Sequence, residues 1–163
     1  MRILGIDPGY GIVGYGVIEG ERQKFSALDY GVIKTPADIS FPKRLKMVAD
    51  GIKILIEKYH PDAISIEELF FQTNRKTAIA VAEARGVILH TVIEYTDNLY
   101  EYTPMQIKQA ITGYGKADKR QIQEMVKLQL GLKSIPRPDD AADALAVAIT
   151  HMQASGLAAL YKI

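Results

Sequence analysis

The chain has 163 residues, 48% of them hydrophobic and 24% charged, and a formal net charge of +1. That is the make-up of one globular domain able to bury a core, and any surface for nucleic acid must be local rather than a global basic field. Cysteine is absent, which excludes disulfides, zinc–thiolate sites and cysteine nucleophiles and makes the cytoplasm the expected location. The opening MRILGID lacks the basic and apolar regions of a secretory leader. No apolar run approaches the ~20 residues of a membrane helix, so no membrane association is expected.

The first third reads as strands punctuated by glycine. Arg2–Ile6 is a short apolar run closed by the turn Asp7-Pro8-Gly9. Ile12–Glu19 is rich in β-branched and aromatic residues, Gly20 ends it, and a third run spans Lys24–Lys34. Short turns between the three predict an antiparallel meander. Then the period changes. Leu45, Val48, Ala49, Ile52, Leu55 and Ile56 follow 3.6-residue spacing, which predicts a helix over Pro42–Tyr59. His60-Pro61-Asp62 stops it, and Ala63–Ile66 reads as a buried strand.

A loop at Phe70–Asn74 precedes a helix over Lys76–Tyr95, a strand over Leu99–Tyr102, and helices over 104–112 and 118–130. Pro136 and Pro138 break the chain before a last helix over Ala141–Gln153. The expected fold is α/β: a mixed sheet of three antiparallel strands followed by parallel ones, with helices on both faces. Residues 1–163 form a single domain, with 154–163 as a tail.

Four acids stand at telling places. Asp7 ends an apolar strand where the chain turns, although Asp-Pro-Gly is also ordinary turn chemistry. Glu67 ends the apolar strand Ala63-Ile-Ser-Ile, although a surfacing strand accounts for it equally. Asp140 and Asp143, three apart, share a face at the start of the last helix, where acids also serve as caps. Strand ends in α/β sheets border binding crevices. The alanines around Asp140 and Asp143 would let their helix lie close to the sheet. If the four carboxylates meet, their repulsion calls for cations, and all-oxygen ligands favour Mg²⁺ or Mn²⁺. Two such ions ~3.5–4 Å apart are a known device for displacement at phosphorus.

The chain resembles the RuvC family of Holliday junction resolvases, nucleases with a ribonuclease H-like fold. The resemblance rests on Leu4-Gly-Ile-Asp-Pro-Gly9 with Gly14-Tyr-Gly16, on Ile66-Glu67 with Phe70, and on Ala84-Arg-Gly-Val87. Gln106-Ile-Lys-Gln109 and Asp140-Ala-Ala-Asp-Ala-Leu-Ala146 through Thr150-His151 complete it, so it runs from residue 1 to about 153. It implies that Asp7, Glu67, Asp140 and Asp143 are catalytic and bind two Mg²⁺ ions, for which Mn²⁺ would substitute. It also implies a homodimer that nicks opposed strands of a four-way junction symmetrically, in recombination and repair, leaving 5′-phosphate and 3′-hydroxyl ends. RuvA and RuvB would be its partners. Some family members carry His where Asp140 stands, and the neighbouring Asp139 leaves open which of the pair is the ligand. Spacing to Asp143 favours Asp140.

From Lys108 to Arg137 seven basic residues (Lys108, Lys116, Lys119, Arg120, Lys127, Lys133 and Arg137) face two acids, Asp118 and Glu124, a local charge of +5. A solvated helix face explains such an excess; so does phosphate contact. Lys108 and Lys119 match family lysines near the active site, and Lys119 is expected to stabilise charge on the transferring phosphate. Lys116 and Arg120 join them as candidate DNA contacts, Gly113–Asp118 being a flexible connector. Phe70 is expected to stack against bases at the crossover, with Arg75 and Lys76 on the flanking backbone. His60, His90 and His151 read as structural. Ala78, Val81, Ala82, Gly86 and Leu89 offer a dimer seam, or a face packed on the chain's own sheet. The rival functions are a ribonuclease H-like nuclease acting on RNA precursors and a non-catalytic module for branched DNA. Sugar kinases and actin-like ATPases share the Gly-Ile-Asp opening but need two lobes and a longer chain.

Overall fold

The computed structural model describes residues 1–69, 75–154 and 156–163, with the side chains of Arg75 and Lys76 left aside. Five strands form one sheet: β1 (Arg2–Asp7), β2 (Ile12–Glu21), β3 (Lys24–Lys34), β4 (Ala63–Glu67) and β5 (Leu99–Tyr102). Their order across the sheet is β3-β2-β1-β4-β5. β1 and β2, and β2 and β3, run antiparallel; β4 lies parallel to β1 and β5 parallel to β4. This is the mixed sheet expected from the sequence. Gly20 does not end the second strand. It pairs with Phe25 at a φ of 145°, a conformation open to glycine, and carries β2 on to Glu21.

Helices α1 (Phe41–Tyr59) and α2 (Arg75–Ile93) cover one face. There Leu4, Ile6, Val13, Val17, Ile64 and Ile66 pack against Val48, Ile52, Ile88 and Val92. The opposite face carries α3 (Pro104–Thr112), α4 (Lys119–Gln129) and α5 (Asp139–Gln153). The last helix begins two residues before the expected Ala141. Its three aspartates therefore belong to its first two turns. Pro138 stands at its N-cap without a side-chain hydrogen bond, so Asp139 and Asp140 are the acids that complement the helix dipole.

The α5 face is built for close approach. Period-two alternation turns Gly5 toward α5 and Leu4 and Ile6 toward the other core. A Cβ on Gly5 would stand 2.2 Å from the carbonyl oxygen of Ala144, and one on Gly14 would stand 2.0 Å from that of Asp140. Neither position admits any side chain. The groove cleared across β1 and β2 receives a helix whose Ala141, Ala142, Ala144, Ala146 and Ala148 are all buried. Small residues on both partners let backbones meet where branched side chains would hold them apart.

After α5 the tail turns back through a short 3₁₀ segment, α6 (Ala158–Tyr161), and its end lies beside the outer edge of the sheet. Tyr100 bridges Lys162 antiparallel, and the Ile163 amide donates to the Leu99 carbonyl at 3.0 Å. These bonds occupy part of the exposed edge of β5.

Candidate active site

The register of the sheet places the first two acids. Ile6 pairs with Ile66 in the parallel β1–β4 ladder, so Asp7 and Glu67 follow one another off adjoining strand ends. Alternation puts both on the α5 face: Ile3 and Ala63 join the core there, and Ser65 donates to the Val147 carbonyl at 3.3 Å. Asp7 also pairs with Gly14 across β1–β2, and Gly14 is the residue on which the backbone of Asp140 rests. One missing side chain thus sets the start of α5 beside the end of β1.

Asp7 and Glu67 are half-buried. Burial first, and then the charges of Glu67, Asp143 and Asp140, hold the Asp7 carboxyl well above the usual range. Burial, with Asp143 behind it, pushes Glu67 up to about 7, while Lys108 and Lys119 pull the other way. Burial also raises Asp143, against the opposing charge of Lys119. These mutual effects are those of four like charges sharing one neighbourhood.

The cations stand on the other wall. A cleft of 240 Å³ is lined by Glu67, Asp143, Lys108, Asp118 and Lys119. Lys108 comes from α3, which starts at Thr103 in a reciprocal capping box with Gln106. Lys119 opens α4, capped in the same way by Asp118 and Gln121. The Lys119 ammonium donates to Asp143 at 3.2 Å and reaches Asp139 at 3.4 Å. The connector between the helices is not a loose one. Gly113 closes α3 in a left-handed conformation, Ala117 is buried, and Asp118 caps α4.

Lys116 and Arg120 are exposed, and Arg120 flanks a separate depression with Tyr114 and Glu124. Neither lines the cleft. Phe70 and the side chains of Arg75 and Lys76 lie outside the described residues. None of the three histidines lines the cleft: His60 caps α1, His90 lies 3.8 Å from Glu94 on the surface, and His151 is buried against Tyr100 and Tyr102.

The donor set suits a hard divalent cation, since every candidate ligand is a carboxylate oxygen. Among the described residues no three acidic or imidazole side chains converge tightly enough to grip an ion as they stand. Binding would draw the carboxylates inward. Asp139 faces elsewhere. It pairs with Arg137 and Lys119, and despite some desolvation these two hold its carboxyl below the usual range.

The sequence reading missed two supports of this site. One is Gly14, whose meaning depends on which helix crosses it. The other is Arg44, which donates to Thr35 Oγ1 at 2.9 Å and lies 4.8 Å over the Tyr10 ring. Thr35 in turn donates to the Tyr10 carbonyl at 2.5 Å, bracing the turn after Asp7. No local signal marks such a brace, because its partners come from α1 and from two loops distant in sequence.

A sheet of this order, with acids at adjoining strand ends and on the helix laid across them, is that of the ribonuclease H-like nucleases. The family model for "Crossover junction endodeoxyribonuclease RuvC" matches residues 3–151. The RuvC of Alkaliphilus oremlandii is 50% identical over 163 residues, covering 100% of this chain and 99% of that protein. That of Thermosipho melanesiensis is 56% identical over 148 residues, covering 91% and 94%. The structure of T. thermophilus RuvC in complex with a Holliday junction substrate matches with a TM-score of 0.90 at 36% identity, covering 95% of this chain and 94% of that one. The chain belongs to the RuvC family of crossover junction endodeoxyribonucleases, and it is an endodeoxyribonuclease.

Proposed function

We propose that the chain resolves four-way DNA junctions by paired, symmetric hydrolytic nicks at a site made of Asp7, Glu67, Asp140 and Asp143. The observation that carries this reading is the acid patch at the ends of β1 and β4 and the start of α5, walled by Lys108 and Lys119. Asp7, Glu67, Asp140 and Asp143 would hold two Mg²⁺ ions, with Mn²⁺ as a substitute, and the ions would supply activation of the attacking water and charge neutralisation at the leaving oxygen. The residues of the chain do the rest. The acids set where the ions sit, and the wall of α3 and α4 orients the phosphate against them. Lys119 stabilises its extra charge in the transition state. Phe70, Arg75, Lys76, Lys116 and Arg120 extend the DNA contacts beyond the cleft. Products would carry 5′-phosphate and 3′-hydroxyl ends.

Paired nicks call for two copies. The core takes Ala84, Ile88 and Val92 from α2, leaving Ile79, Ala82, Gly86 and Ile93 along its exposed side. Of the seam residues expected from sequence, Ala82 and Gly86 lie on this side, while Ala78, Val81 and Leu89 are half-buried. A homodimer through that side fits the exposure. RuvA and RuvB are the expected partners and the cytoplasm the expected place of action; no described helix is long and apolar enough to cross a membrane.

The test is cleavage of a synthetic four-way junction in Mg²⁺, beside linear duplex and RNA of the same sequence. Paired nicks in the junction are expected. Preferential cutting of RNA would favour the precursor-processing reading, and junction binding without cutting the non-catalytic one.

A further inference from the structure

Lys119 has an unusual station. It is the first residue of α4, where a cation opposes the helix dipole and no helical neighbour holds it. Its side chain is 55% exposed, and a free lysine there would sample many rotamers. Two carboxylates of α5 share it instead, Asp143 at 3.2 Å and Asp139 at 3.4 Å. They are not equivalent. Asp143 belongs to the acid patch beside Asp7 and Glu67.

Asp139 is held from the far side by Arg137, and the buried Gln123 amide lies beside it without closing a formal hydrogen bond. It therefore has a fixed carboxylate that the patch does not claim. We infer that Asp139 is a positioning residue for Lys119, a tether that keeps the ammonium at the cleft rim when Asp143 is engaged elsewhere. The inference rests on the functional reading above.

Lys119 and a cation in the acid patch compete for Asp143. A carboxylate that ligates a divalent cation has little to offer an ammonium at the same oxygen, so Lys119 loses its nearer partner as the site fills. Without Asp139 it would swing into solvent, toward the many rotamers that its exposure allows. With Asp139, pinned by Arg137, it stays within reach of a phosphate entering between α3 and α5. The tether has an electrostatic cost: Asp139 adds a negative charge beside a surface that must attract DNA. A positioning role thus predicts opposite effects on binding and on turnover, which a merely structural role does not.

The experiment compares the full chain with Asp139→Asn and Asp139→Glu. Junction cleavage is read as kcat and KM, and junction affinity is measured in an Asp7→Asn background that does not cut. The mobility of the Lys119 ammonium in Mg²⁺ is followed by nitrogen-15 relaxation, with thermal unfolding as a check on folding. Asp139→Asn is expected to bind junctions about 2- to 5-fold more tightly. It should also turn over about 10-fold more slowly and free the Lys119 ammonium, while Asp139→Glu retains the wild-type values. Arg137→Ala should move kcat the same way by less. Binding and turnover that rise together, or an ammonium no more mobile than in the wild type, would overturn the tether. So would a loss as complete as that of Asp140→Asn, which would make Asp139 a ligand. A wild-type chain that leaves junctions intact would instead defeat the functional reading, and the ammonium mobility would still decide whether Asp139 holds Lys119.

Discussion

The two ends of α5 are built on opposite terms. At its C-terminal end His151 is 2% exposed, and its Nδ1 lies 2.8 Å from the Tyr102 hydroxyl with the Tyr100 ring 4.1 Å away. The imidazole thus has a neutral partner at Nδ1, and burial lowers it to about 4, so that it stays uncharged near neutral pH. At the N-terminal end Asp7, Glu67, Asp140 and Asp143 crowd together, and burial and repulsion hold Asp7 and Glu67 above their ordinary values. One end is satisfied and the other is not. The same helix spans a neutral anchor and a charged patch whose repulsion Lys108 and Lys119 offset only in part, the trade between stability and function expected of a reactive site.

That contrast is broken most completely by Asp7→Asn. Loss of a metal-site carboxylate is expected to cut junction cleavage by about 1,000-fold or more, with junction binding retained. Unfolding of the metal-free variant should need more heat than that of the wild type, because one of the mutually repelling charges has gone. Unchanged cleavage would remove Asp7 from the site.

Next in size is Gly14→Ala. Its methyl has no room against the Asp140 carbonyl, so α5 must lift, at a cost of about 1–3 kcal/mol or more in denaturant unfolding. Cleavage should suffer out of proportion to stability, because lifting α5 separates Asp140 from Asp7. An equal loss of both would mean that Gly14 serves packing alone.

The two ends should also titrate in opposite senses. Glu67 is raised in the folded chain, from 4.5 to about 7, so the folded state holds its proton more tightly. Its contribution to metal-free stability is full below pH 4.5 and is lost as pH rises through 7. His151 is depressed from 6.5 to about 4; its contribution is full above pH 6.5 and is lost as pH falls through 4. Thermal melts of Glu67→Gln and His151→Gln against pH would separate them. The first should flatten the decline between pH 4.5 and 7, the second the decline between 6.5 and 4. The smallest effect is expected of Lys116→Ala, an exposed lysine away from the cleft. It should weaken junction binding a few-fold and reduce the salt slope by about 1, with kcat unchanged.

Much of this was legible in the sequence because it is local. The meander, α1, β4 and the acid at each strand end follow from period, turn residues and position. The meeting of Asp7 with Glu67 did not follow, since the sequence puts each acid at a strand end without saying which strands adjoin; the parallel register of β1 on β4 supplies that. What stayed hidden depends on contacts between distant elements. The alanines of α5 signalled close packing, but Gly5 and Gly14 read as strand residues until the helix is laid across them. The start of α5 was placed too late because Pro138 and two aspartates read as a cap rather than as a first turn. Asp139 read as a doubtful alternative ligand; only its pairing with Arg137 and Lys119 turns it away from the acid patch. The connector before α4 read as flexible from its glycines, while buried Ala117 and two helix caps hold it in place.

The central claim is that four carboxylates, and not Asp139, form one two-metal site. Crystals of the wild-type chain soaked in Mn²⁺, with the ions located by their anomalous scattering, test it directly. The expected result is two peaks about 3.5–4 Å apart, ligated by Asp7, Glu67, Asp140 and Asp143, with Asp139 still on Arg137 and Lys119. Ions bound through Asp139, or gathered away from Asp7, would contradict it.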